Sequence, residues 1–163
     1  MFDQAIIKRL RVWRESPLIF CKECIKMNPS DQQAEALHVF PQTKRFTIRS
    51  GHGTGKDALV GGVLIPWFMV TRPFAKVVCI APTARQLSDI LWSEISKWLR
   101  NSLVADEFVI QKDKIFQKDN PREWWVRAIS PSAKASPDEQ VESVAGLHGD
   151  HLLIIVDEAS GVP

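Results

Sequence analysis

Between Arg45 and Val70 a β-prone run, a glycine-rich turn and a long apolar segment follow one another without a break. This order limits the fold more than any other feature of the 163 residues. "RFTIRS", 45–50, predicts a short strand, and "GHGTGK" a turn. The segment after Asp57 is apolar on nearly all sides for about three turns, as a buried helix must be. "AKVVCIAP" then predicts a second strand, apolar enough to be covered on both faces of a parallel sheet. Thr83 and Gln86 have capping-box spacing, and Leu87, Ile90, Leu91, Ile95, Trp98 and Leu99 recur at helical spacing behind them. Strand, helix, strand, helix implies a doubly wound α/β sheet.

The flanking segments fit around that unit. Ile6, Leu10, Trp13, Leu18 and Ile25 follow a near-helical period that Pro17 divides in two, which predicts a helical N-terminal arm. Ser30 and Gln33 have the spacing of a capping box opening a further helix through Leu37, which Pro41 ends. "FVIQKDKIFQ" and "EWWVRAIS" predict a hairpin at the sheet edge around Asp119-Asn120-Pro121, and "SPSAKASPDEQVES" a mobile loop. Leu152–Val156 predicts a third buried strand ending in Asp157-Glu158.

Length and composition set the class. With 45% hydrophobic and 25% charged residues the chain is an ordinary globular one, long enough for one domain. A net charge of +2 is well short of that of a domain that coats nucleic acid. Three cysteines without a signal peptide suggest a reducing cytoplasm. Cys21 and Cys24 form a lone C-x-x-C, for which two small residues on a helix is the simpler reading than zinc or redox chemistry. The apolar run Ala58–Val70, broken by Gly61, Gly62 and Pro66, is too short to cross a bilayer.

Two motifs carry chemistry. "SGHGTGKD" is close to the phosphate-binding pattern G-x-x-x-x-G-K-[ST]. In such a loop small residues let backbone N–H groups converge on phosphate oxygens at a helix N-terminus while a lysine reaches the β and γ phosphates. Gly51, Gly53 and Gly55 are the small positions, with His52 and Thr54 between them, and Lys56 is the lysine. Ser50 replaces the first glycine, and Asp57 stands where a magnesium-binding hydroxyl is usual. A carboxylate there can ligate a hard cation but brings negative charge towards a triphosphate, so binding is expected to need metal. The simpler alternative is a helix start after a glycine turn, with Asp57 favouring the helix dipole. Against that alternative stands the second motif. "LLIIVDEA" has the form of a Walker B strand, whose aspartate (Asp157) holds Mg²⁺ and whose glutamate (Glu158) orients the attacking water.

In order and spacing these motifs resemble the N-terminal ATPase region of the large subunit of tailed-phage terminases, the motors that package viral DNA. "WRESPLIFCKECI" resembles that family's lead-in helices, "PSDQQAEAL" its glutamine motif, "SGHGTGKD" its Walker A loop, "CIAPTARQ" its second-strand motif and "AGLHGDHLLIIVDEASGVP" its Walker B region. The resemblance implies an additional-strand P-loop NTPase (RecA/terminase-like), with a mostly parallel central sheet truncated after the Walker B strand. Residues 1–45 would be a helical arm with the glutamine motif and 46–163 a partial ATPase core carrying the inserted β-hairpin. It implies ATP and Mg²⁺ as cofactors, Lys56 and Glu158 in catalysis, and Asp157 and Asp57 on the metal. The nucleotide would lie on Gly51, His52, Gly53, Thr54, Gly55, Lys56 and Asp57. Gln33 would contact the adenine edge, the alternative being its capping-box role. Because His52 stands where many members have an arginine, Arg49 and Arg85 become the candidates for an arginine finger, against ordinary solvated or ion-paired arginines. Implied partners are double-stranded DNA, the terminase small subunit and the portal. The setting would be a ring of like subunits in the cytoplasm of a bacterial host. The family's nuclease is not among these residues. A helicase-like ATPase shares the same motifs. An assembly or DNA-contact module using "KRLRVWR" with Trp124 and Trp125 is the non-enzymatic alternative, and for those residues a solvated helix face and core aromatics is the simpler reading.

Overall fold

A computed structural model describes residues 2–49, 55–81, 83, 85, 87–129 and 147–157. Helix α1 (Gln4–Glu15) starts where the Asp3 carboxylate accepts the Ile6 N–H at 2.9 Å. Pro17 occupies the first turn of α2 (Pro17–Phe20), where its missing N–H costs nothing, and the Ser16 hydroxyl caps that turn through Ile19 N–H. The chain continues through a π-helical turn, Cys21–Ile25, and leaves it at Lys26, whose φ of 62° is left-handed. Helix α3 (Asp31–Val39) opens on the expected capping box: Ser30 Oγ accepts Gln33 N–H and Gln33 Oε1 accepts Ser30 N–H.

The long apolar helix is also present. It is π-wound over Ala58–Leu64 and becomes α4 at Ile65–Thr71. Pro66, with no N–H to donate to the preceding turn, sits just where the winding changes. A second π-to-α helix follows the first strand: Leu87–Trp92, then α5 (Ser93–Arg100). The two pack closely at Gly62, where a Cβ would stand 2.6 Å from Trp98 Cδ1 and 2.9 Å from Met27 Cε.

Five strands form one open mixed sheet in the order β2-β3-β4-β1-β5. β1 (Lys76–Ile80) lies between β4 (Trp125–Ile129) and β5 (Leu152–Val156) and runs parallel to both. β2 (Phe108–Ile110) and β3 (Lys114–Gln117) extend the sheet antiparallel beyond β4. Alternation along β1 divides the packing. Val77 and Cys79 join the large core with α1, α2, α4 and α5, while Val78 and Ile80 join a small cluster with Trp125 on the other face.

Four sequence expectations need correction. Phe46–Arg49 leads into the glycine turn but forms no ladder, since a β-prone run becomes a strand only where a neighbour offers hydrogen bonds. The predicted hairpin is a three-stranded unit: "FVIQKDKIFQ" itself folds into β2 and β3, and β4 leaves the edge to pair with β1. Doubly wound packing is not seen among the described residues, because helical side chains join only the larger core. Finally, β5 is only partly covered. Leu153 and Ile155 pack on the large core, whereas Ile154 and Val156, on the other face, are 43% and 44% exposed. The "SPSAKASPDEQVES" segment and the Gln86 cap position lie outside the described residues.

Candidate functional site

Gly55 ends the glycine turn with φ of +79°, a conformation that glycine adopts without steric cost. Its carbonyl accepts the Leu59 N–H at 3.0 Å and so opens the helix that carries Lys56 and Asp57 at its start. That helix runs down to Thr71, and the chain returns upward along β1. The carboxyl ends of β1, β4 and β5 form the end at which open α/β sheets bind ligands. Asp157 stands at the same end, directly after β5, where its N–H donates to the Ile80 carbonyl at 2.8 Å. Beneath it Cys79 is fully buried; burial pushes its thiol well above the usual range, and the charge of Asp157 adds to the shift.

Gln33 reaches this region from α3. While its Oε1 completes the capping box, its Nε2 donates to the Gly55 carbonyl at 2.9 Å. The sequence showed the cap but not this longer contact, which joins residues 22 apart.

The remaining site candidates divide into two groups. Gly51, His52, Gly53, Thr54 and Glu158 lie outside the described residues. Arg49 is exposed, and Arg85 is exposed with its Nε 3.1 Å from Asp89 Oδ2, one helical turn on. His148 and His151 serve through their backbone: the His148 carbonyl accepts Lys76 Nζ at 2.8 Å and the His151 carbonyl accepts the Lys76 N–H at 2.9 Å.

Cys21 and Cys24 are buried on the helical turn after α2, and burial pushes their thiols up to about 11 and about 12, which disfavours the thiolate needed for metal or redox chemistry. Of the residues considered for a DNA-contact patch, Trp13, Trp124 and Trp125 are buried at 1%, 9% and 3% exposure and Arg9 is paired with Glu23. That leaves no exposed aromatic platform at those positions. No helix among the described residues is long and apolar enough to cross a membrane.

No family model matches the chain. No solved structure matches it either. A curated protein of Enterobacteria phage P7, "Probable terminase, large subunit", is 32% identical over 140 residues, which cover 82% of this chain and 27% of that protein. The chain thus spans about a quarter of the length of the relative it matches. The chain belongs to the family of terminase large subunits.

Proposed function

We propose that the carboxyl end of the parallel strands is an ATP site and that the complete protein hydrolyses ATP to drive packaging of viral DNA. The observation that carries this reading is that two motifs about a hundred residues apart adjoin the same parallel pair: Gly55-Lys56-Asp57 starts the helix that leads into β1, and Asp157 follows β5, the parallel neighbour of β1. The terminase name of the phage relative favours a packaging motor over a helicase-like ATPase. The fold would be that of an additional-strand P-loop NTPase.

In this reading Lys56 holds the β and γ phosphates, and the amides at the helix start face the anion. The carboxylates of Asp157 and Asp57 are hard oxygen donors, which suits them to Mg²⁺. When bound, the ion neutralises charge on the triphosphate. Glu158 orients the attacking water and takes its proton, and Arg49 and Arg85 are the candidates to meet phosphate charge. Double-stranded DNA, the small subunit, the portal and a ring of like subunits are the proposed partners.

Titration with a fluorescent ATP analogue, with and without Mg²⁺, tests the site: magnesium-dependent binding is expected. Its absence would sink the reading. In the complete protein, Glu158→Gln should leave nucleotide bound and lower turnover by about a hundredfold or more, the scale of a lost general base. Retained turnover would remove Glu158 from its role.

A further inference from the structure

The side chain of Gln33 bridges two helix starts. Its Oε1 accepts the Ser30 N–H at 2.9 Å, completing the cap of α3, and its Nε2 donates at 2.9 Å to the Gly55 carbonyl, which also accepts Leu59 N–H. These two partners fix the carboxamide's orientation, because a flip would set N–H against N–H and oxygen against oxygen. The space is as specific as the bonds: a Cβ on Gly55 would fall 2.6 Å from Gln33 Nε2, so the amide occupies the volume that only a glycine leaves open.

We propose that Gln33 is a positioning residue that fixes the Gly55 carbonyl, and through it the start of the helix bearing Lys56. The effect on ligand binding rests on the phosphate site proposed above. The effect on the helix start does not. Gln33 acts on whatever phosphate chain Lys56 meets, so its loss weakens ligands with and without a base alike.

The test compares the wild-type chain with Gln33→Met, neutral and of similar length, and with Ser30→Ala, which removes the α3 cap hydroxyl but keeps the bond to Gly55. Mg²⁺ complexes of ATP, GTP and inorganic tripolyphosphate are titrated, and hydrogen exchange is followed at the Leu59 amide. For Gln33→Met we expect all three ligands to weaken by a similar factor, about three- to tenfold for one lost hydrogen bond, with faster exchange at Leu59. Ser30→Ala should change neither. A loss confined to ATP would make Gln33 a base reader and overturn the proposal. Wild-type-like binding and exchange in Gln33→Met, or equal effects of Ser30→Ala, would overturn it too. If the wild-type chain binds none of the three ligands, the phosphate site fails by itself. Exchange at Leu59 then decides the role of Gln33 alone: faster in Gln33→Met but not Ser30→Ala supports it, and no difference overturns it.

Discussion

Asp57 is the residue on which the chemistry of the proposed site turns. A carboxylate beside a triphosphate repels it until a cation intervenes, whereas a hydroxyl carries no such charge. Asp57→Ser is therefore expected to bind nucleotide measurably without Mg²⁺ and to depend less on the metal than the wild type, as read by the same titration at several Mg²⁺ concentrations. An unchanged metal dependence would show that this carboxylate does not face the phosphates. Glu23 gives a pH test elsewhere. Hydrogen bonds from the Arg9 guanidinium and from Trp13 Nε1, 2.8 Å away, hold its carboxyl below the ordinary range. A depressed folded pKa contributes stability that is present above the unfolded pKa and is lost as pH falls through the folded value. Because the pair is about 40% exposed, its worth is under about 1 kcal/mol. Glu23→Gln should destabilise by that amount at neutral pH, and the gap between the two denaturation curves should close in acid.

At the scale of elements, the two long helices sit as close as they do because Gly62 has no side chain. Adding a Cβ sets it against the half-buried Trp98 and the buried Met27. The intrinsic helix preference of alanine over glycine would favour Gly62→Ala by about 1 kcal/mol, but overpacking costs about 1–3 kcal/mol and acts against a rigid indole. The steric term wins, so Gly62→Ala should lower the melting temperature. A rise would mean that the helices separate easily. The strands show a different dependence. β1 is buried because parallel neighbours flank it on both sides, while β5, of similar composition, keeps Ile154 and Val156 exposed on the face that no described helix covers.

For the molecule as a whole, the N-terminal helices and the sheet share one core. Trp13 is 1% exposed; its ring meets Phe20 edge-on at 5.6 Å and its carbonyl accepts Trp67 Nε1 at 2.6 Å. Phe2 packs on Trp124, whose Nε1 donates to the Met69 carbonyl at 2.9 Å, so the arm also reaches the strand region. Trp13→Ala should cost about 3–5 kcal/mol. Helix and sheet signals should then be lost in one shifted transition, followed by far-ultraviolet circular dichroism and tryptophan fluorescence. Two separate transitions would make the arm an independent unit.

The division between what was legible in the sequence and what was not follows the range of the interactions. Helix starts were legible because they are local: Ser30 and Gln33 cap within one turn, and Pro17 fixes a first turn by its own ring. β1 and β5 were legible as elements because unbroken apolar runs have few other places to go. Partners were not. Phe46–Arg49 has the composition of a strand and no ladder, β4 left its predicted edge to lie beside β1, and Ile154 and Val156 of β5 stayed uncovered. The candidate site divides in the same way. Its residue types at Gly55, Lys56, Asp57 and Asp157 could be read in order along the chain. That Gln33 spends its amide on Gly55 could not be read. Propensity, capping and periodicity act over a few neighbouring residues and were fixed by the chain itself. Strand pairing, burial and the Gln33–Gly55 bond join residues distant in sequence, so only the folded arrangement, where those groups compete for the same space and hydrogen bonds, decided them.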